Sequence, residues 1–283
     1  MLDFMENVPE IPLAQWTSDL TDWITDTFSF LFDPIQNQFG DFMEWTADQL
    51  AAIPPIIVII LVVIGAFFAS GKKFGLAAFT LLGLLLIYNQ GLWEQLMFTF
   101  TLVLIASILS VIIGVPVGIL MSKSRIAEAI ITPILDFMQT MPAFVYLIPA
   151  VAFFSIGMVP GVFASLVFAT PPTVRFTNLG IRQVSTELIE ASESFGSTGS
   201  QKLFKVEMPM AKQTIMAGIN QTVMLALSMV VIASMIGAPG LGRDVLSSLQ
   251  RAEVGTGFVA GLGIVILAII IDRFTQSLNK PKK

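Results

Sequence analysis

The sequence has no histidine and no cysteine among its 283 residues, only two tyrosines, and charged residues at just 12%. The two complete absences exclude imidazole acid/base catalysis, thiolate nucleophiles, disulfides, thiolate metal sites and haem attachment through Cys. A chain without cysteine is compatible with either side of a membrane. Positive charge is missing from the first quarter: no Lys or Arg precedes Lys72, whereas ten of the twenty acids lie in the first 48 residues. What the chain has in excess is apolar surface. Hydrophobic residues make up 55% of it and the mean hydropathy is +0.82, far above a water-soluble domain and in the range of a polytopic membrane protein.

The spans follow from the gaps between charges. A helix rises about 1.5 Å per residue and the hydrocarbon core is about 30 Å thick, so a crossing needs roughly 20 residues with little charge. Such gaps separate Asp48 from Lys72, Lys73 from Glu94, Glu94 from Lys123, Asp136 from Arg175, Lys212 from Arg243 and Glu253 from Asp272. The gap from Asp136 to Arg175 is too long for one helix and holds Gly157, Pro160 and Gly161, which predicts a helical hairpin. The expectation is an all-α bundle with seven spans near 53–70, 74–92, 96–121, 135–156, 159–178, 213–236 and 256–272. Outer-membrane strands would alternate instead of running unbroken, and backbone groups in lipid require helices.

Basic residues are retained on the cytoplasmic side. With the N-terminus outside, thirteen of the fifteen fall inside, and only Arg243 and Arg251 remain outside. Residues 1–51 then form an extracytoplasmic segment and residues 52–283 the membrane domain. The N-terminal segment lacks the positive start of a signal peptide. Leu13, Trp16, Leu20, Trp23, Ile24, Phe28 and Leu31 recur at helical spacing between Asp19, Asp22 and Asp26. Asp33 and Pro34 read as the N-cap and first-turn residue of a second amphipathic helix bearing Ile35, Phe39, Phe42, Met43 and Leu50. The pair reads either as an external scaffold that braces the bundle or receives a partner, or as a leader lying on the surface.

The longest inside loop, 181–212, reads as helix, turn, helix. Small residues Ala191 and Ser192 permit close approach of a partner, Glu190 places charge at the rim, Gly196 permits reversal of the chain, and Pro209 marks the entry to the sixth span. A solvated hairpin with an ordinary Gly cap would look similar. Glu190, Ala191, Ser192 and Gly196, followed after nine residues by Val206, Glu207, Met208 and Pro209, resemble the Glu-Ala-Ala loop of ABC-importer permeases; Ser192, Val206 and Met208 replace its second Ala, Ile and Leu.

The resemblance extends through LDFMQTMPAFVYLIPA (135–150), FATPPTVRFTNLGIRQV (168–184), EASESFGSTGSQKLFKVEMPMA (190–211) and NQTVMLALSMVVIASMIGAPGLG (220–242). These stretches are similar to the permease subunit of glycine betaine/proline betaine ABC importers. The resemblance implies a type I importer permease in the cell membrane of a prokaryote, acting in osmoprotection. It implies a homodimer with two cytoplasmic ATPase subunits, which bind ATP and Mg, and an external substrate-binding protein. Because the sequence stops shortly after its last span, that protein is expected to be a separate chain. This chain is expected to hold no cofactor or metal, to have no catalytic residues and to bind no nucleic acid. Glu190, Ala191, Ser192, Gly196 and Pro209 take the ATPase-coupling role.

Gly237, Pro239, Gly240 and Gly242 superficially resemble a phosphate loop, but they follow a membrane helix, lack the Walker lysine and fall outside. They read as an outer gate, a binding-protein contact or a plain turn. Thr140, Thr170, Thr173, Asn220, Gln221, Thr222, Ser228 and Ser234 must face protein or water and are candidates for the translocation path, or for bonds between helices. Asp136 and Arg175 are placed either to pair and fix the helix register or to stand as interfacial charges without a partner. Pro142, Pro149, Pro171 and Pro172 are expected to interrupt spans four and five. An ion-coupled transporter or channel is the alternative function, but it normally needs an intramembrane acid or an inverted repeat. A membrane enzyme has no residues with which to act.

Overall fold

The computed structural model describes residues 12–72 and 74–278, and every regular element among them is helical. Readings that rest on residues 1–11, Lys73, Lys280, Lys282 and Lys283 lie outside the described residues. The chain opens with α1 (Leu13–Thr27), which buries no residue. Its apolar stripe of Leu13, Trp16, Leu20 and Trp23 is exposed.

The run α2 (Ser29–Ala52) differs from the expectation that Asp33 caps a new helix. Helix begins at Ser29, and Pro34 lies inside it, followed directly by a π turn at Ile35–Phe39. Proline removes one rung of the hydrogen-bond ladder, and a π turn lets the ladder resume in a shifted register. Before that turn Phe32 stacks on Phe153 at 5.1 Å, and beyond it α2 lies against the bundle, burying Met43 and Ala47. It meets α3 (Pro55–Ala69) at 93°. The corner is set by Pro54 and Pro55, since a residue before proline is driven out of the helical region and Ile53 has ψ 131°.

There follow α4 (Phe74–Asn89), α5 (Trp93–Lys123), α6 (Arg125–Thr140), a 3₁₀ turn at Ala143–Tyr146 entering α7 (Leu147–Phe154), and α8 (Met158–Arg182). The loop after α8 supplies α9 (Thr186–Ser194). The last helices are α10 (Gly199–Ser234), α11 (Leu241–Gln250) and α12 (Val254–Leu278). Three of these, α5, α10 and α12, are long and apolar enough to cross a membrane singly, and up to five crossings result if each bent pair counts as one.

The expected fourth span, 135–156, is broken: α6 and the segment Ala143–Phe154 meet at 110°. Pro142 holds Met141 extended, with ψ 134°, and the Tyr146 hydroxyl donates to the Met138 carbonyl across the bend. Pro149 does not interrupt α7, because it sits in the first turn, where helical N–H groups lack partners anyway. Pro171 and Pro172 do not interrupt α8 either, which remains one helix of 25 residues. The hairpin turn itself falls where glycine predicted it, with Gly157 at φ 129°.

Helix α8 carries most of the polar residues expected in span five, yet its length is largely buried by α5 and α10. In lipid, helices are held by close packing and not by escape from water, so small residues decide the contact. A Cβ at Gly118 of α5 would lie 2.6 Å from both the Thr177 side chain and the Val174 carbonyl oxygen of α8. One at Gly218 of α10 would lie 2.5 Å from Phe176. Between these contacts the Thr222 hydroxyl donates to the Ala169 carbonyl at 2.8 Å and accepts from Thr173 at 2.7 Å.

Candidate functional site

The loop between α8 and α10 carries the motif that runs from Glu190 to Pro209. Ser185 has the extended backbone of a helix start, and α9 ends where Gly196 turns at φ 77°. That conformation is open to glycine at no steric cost, and it reverses the chain. Thr198 then starts α10 with a reciprocal capping box: its hydroxyl accepts from Gln201 N, and Gln201 Oε1 accepts from Thr198 N. No residue of α9 is buried. Glu190 and Ala191 are exposed, Ser192 is half-buried, and Phe195 is 91% exposed at the tip.

Helix α9 is tied back to α10 by an ion pair between Glu193 and Lys202. That hydrogen bond holds the Lys202 ammonium above its usual pKa, with the charges of Glu193 and Glu207 acting in the same direction. Pro209 marks the entry to the long apolar part of α10. It stands in the first turn of the α-helical run Met208–Ser234, as the sequence predicts, directly after a π turn at Leu203–Glu207 that joins that run to the start of α10. Around the loop the neighbouring helix ends are joined by charge. Lys123 pairs with Glu207, Arg175 with Asp136, one of the two readings left open by the sequence, and Arg182 with Glu128 at 2.7 Å.

The turn from Gly237 to Gly242 is packed, not open. Gly237 has φ 88° and Gly240 φ 116°. Leu241 N donates to the Thr99 hydroxyl at 2.9 Å, Gly157 N donates to the Ile236 carbonyl at 2.9 Å, and the Ser234 hydroxyl donates to the Gly242 carbonyl at 3.1 Å. Gly240 and Gly242 are buried, so only Gly237 and Pro239 offer surface to another molecule. Just beyond them, burial raises the pKa of Asp244 against the opposing pull of Arg243. Thr99 escaped the sequence reading because nothing in a Thr within an apolar run announces a partner so far along the chain.

The candidate path residues divide into groups. Thr170, Thr173 and Thr222 are buried, as is Ser234, and their hydroxyls bond to the protein. Asn220 donates to Asp272 of α12 at 3.0 Å. Gln221 and Ser228, seven residues apart, lie on one exposed stripe of α10, and Thr140 is exposed at the end of α6. A cavity of 390 Å³ bounded by Leu50, Val62, Leu84, Trp93, Leu267 and Phe274 contains no charged side chain, and Thr275 and Ser277 bring hydroxyls to its otherwise apolar lining. Among the described residues no three Asp or Glu side chains gather as metal ligands would.

Residues 110–282 match the family described as binding-protein-dependent transport system inner membrane component. The chain is 60% identical to the glycine betaine/carnitine transport permease protein GbuB of Listeria monocytogenes, over 99% of each chain. It is 52% identical to the glycine betaine transport system permease protein OpuAB of Bacillus subtilis, over 99% of this chain and 98% of that one. Against the glycine betaine/proline betaine permease ProW of Escherichia coli the identity is 47%, over 96% of this chain and 77% of the relative. A solved structure of the MetNI methionine ABC transporter, described as inward facing, superposes with a TM-score of 0.57 over 65% of this chain and 94% of that one, at 22% identity, and shares the fold. The length of the match and the levels of identity together make this chain a member of the family of binding-protein-dependent transport system inner membrane components, a multi-pass permease of the plasma membrane.

Proposed function

We propose that the chain is the permease subunit of an ATP-driven importer of glycine betaine and related osmolytes, working as a homodimer with two cytoplasmic ATPase subunits and a separate binding protein. The names of the relatives support the solute class. The observation that carries the ATP-driven reading is α9: a short helix stands clear of the bundle, with small residues Ala191 and Ser192 beside Glu190 and an exposed Phe195. An exposed aromatic next to small residues is suited to a pocket on a partner. ATP and Mg are bound by that partner, and closure of the ATPase pair drives alternating access through the permease.

The route for the solute runs along the exposed stripe of Gln221 and Ser228, and the turn holding Gly237 and Pro239 faces the binding protein. ATP drive is separable from ion coupling. Uptake of glycine betaine by membrane vesicles should require internal ATP and persist when an ionophore collapses ion gradients; uptake that stops with the ionophore and ignores ATP returns the secondary-transporter reading.

The N-terminal segment, 1–51, lies outside in this proposal. Because the chain has no cysteine, single cysteines report topology without background. In intact cells an impermeant thiol reagent should label a cysteine placed at Asn7 and miss one at Ser197. Labelling of Ser197 alone would invert the topology.

A further inference from the structure

Glu207 is the only charged side chain fully buried among the described residues, at 3% exposure. It closes the π turn between the short cytoplasmic helix start at Gly199 and the membrane portion of α10, and its partner is Lys123, the last residue of α5 and 84 positions away. The ion pair between Lys202 and Glu193 adds the coupling helix to the same series: Glu193 of α9, Lys202 and Glu207 of α10, Lys123 of α5. The two links differ in weight. Lys202 and Glu193 are at the surface, where an ion pair contributes little. A buried carboxylate is held in place by its cation, since leaving it unpaired is costly.

Helix α5 is in turn anchored at its far end. Thr99 accepts from Leu241 N, and the Gly240 backbone lies against Thr99 and Gln95. Between Thr99 and Lys123 the helix runs about 36 Å, most of a bilayer. Whatever displaces the π turn therefore pulls on one end of a rod whose other end holds the turn at 237–242.

We infer that Glu207 and Lys123 form a positioning latch that joins the ATPase-coupling loop to α5, so that α5 transmits loop movement across the membrane to the turn around Gly240. The inference rests on the coupling role proposed for α9. Movement delivered to α9 reaches the bundle through the π turn, and the latch prevents that turn from yielding while α5 stays behind. Asp136 with Arg175 and Glu128 with Arg182 join α8 to α6; Arg182 also donates to the Met121 carbonyl of α5 at 3.0 Å, so Lys123–Glu207 is the ion pair at that end of α5 but not its sole polar tie.

The test uses the whole complex in proteoliposomes and measures glycine betaine accumulated per ATP hydrolysed. Glu207→Gln keeps the shape and leaves Lys123, itself 39% exposed, able to turn to water. Its transport per ATP should fall about tenfold, with the amount of assembled complex and its thermal midpoint close to wild type, and the exchange Lys123→Glu with Glu207→Lys should recover most of the ratio. A ratio within about twofold of wild type in Glu207→Gln overturns the latch. So does a lost ratio that tracks a lost thermal midpoint, because the pair then only holds the fold, and so does an exchange that recovers nothing. Ala191→Trp in the same assay separates the two readings: if it uncouples while Glu207→Gln does not, the latch alone fails, and if Ala191→Trp behaves as wild type, the coupling role of α9 fails.

Discussion

Gly240→Val should abolish betaine uptake and sharply reduce the protein recovered from the membrane. The backbone at 240 has φ 116°, which costs an L residue about 1–3 kcal/mol. A Cβ there would lie 2.5 Å from the Thr99 hydroxyl, 3.0 Å from Thr99 N and 3.1 Å from the Gln95 carbonyl oxygen. Two of those neighbours are helix backbone and cannot step aside, so the overlap adds about 1–3 kcal/mol. Displacing the turn also breaks the bond from Leu241 N to Thr99, leaving a buried donor unpaired for about 1–3 kcal/mol more. The total is comparable to the whole stability of many domains. Gly255→Ala is the control, since a Cβ there meets nothing within 4 Å. Membrane abundance and uptake measured for both variants check the claim. Wild-type levels of each for Gly240→Val would mean that the packing around Thr99 does not matter.

Ala191→Trp should have the opposite signature, with normal abundance and no transport. Ala191 lies on an exposed helix that buries nothing, so enlarging it removes no contact within the chain. If α9 fits a groove on the ATPase, an indole at the position of closest approach keeps the helix out. Gly196→Val should act in the same direction by another route. No atom lies within 4 Å of its would-be Cβ, so the cost comes from φ 77° alone and is paid by tilting α9 relative to Lys202 and the π turn. Uptake should fall by at least about tenfold in both, equivalent to 1.4 kcal/mol or more of lost coupling.

The apolar helices were legible because charge in the hydrocarbon core is so costly that its gaps outline them. The count of seven spans was not: among the described residues three helices are long and apolar enough to cross alone, and up to five crossings result if each bent pair is one. The loop was legible because turn chemistry is local: Gly196 and the Thr198–Gln201 box lie within a few residues of what they organise. Several local readings misled, beginning with Pro149, Pro171 and Pro172, which do not interrupt their helices. Asp33–Pro34 has the pattern of a helix start, yet the same proline is accommodated inside a run by a π turn, and hydrophobic spacing cannot tell the two apart. The gap from Asp136 to Arg175 showed that apolar chain was present but not its direction, and the bend at Met141–Pro142 turns what looked like one span through 110°. The contacts that unite the site were not legible at all. Thr99 to Leu241 and Lys123 to Glu207 join positions 142 and 84 residues apart, and neither pair departs from what an isolated apolar helix or basic helix end would carry.

The most direct measurement is ATP hydrolysis by the permease and its ATPase in proteoliposomes, with and without binding protein loaded with glycine betaine, for the wild type and Ala191→Trp side by side with uptake. The wild type should hydrolyse ATP faster when loaded binding protein is added and should accumulate the solute, whereas Ala191→Trp should show neither response at equal membrane abundance. Stimulated hydrolysis and uptake in Ala191→Trp at wild-type levels would contradict the coupling role of α9 and leave the loop a connector.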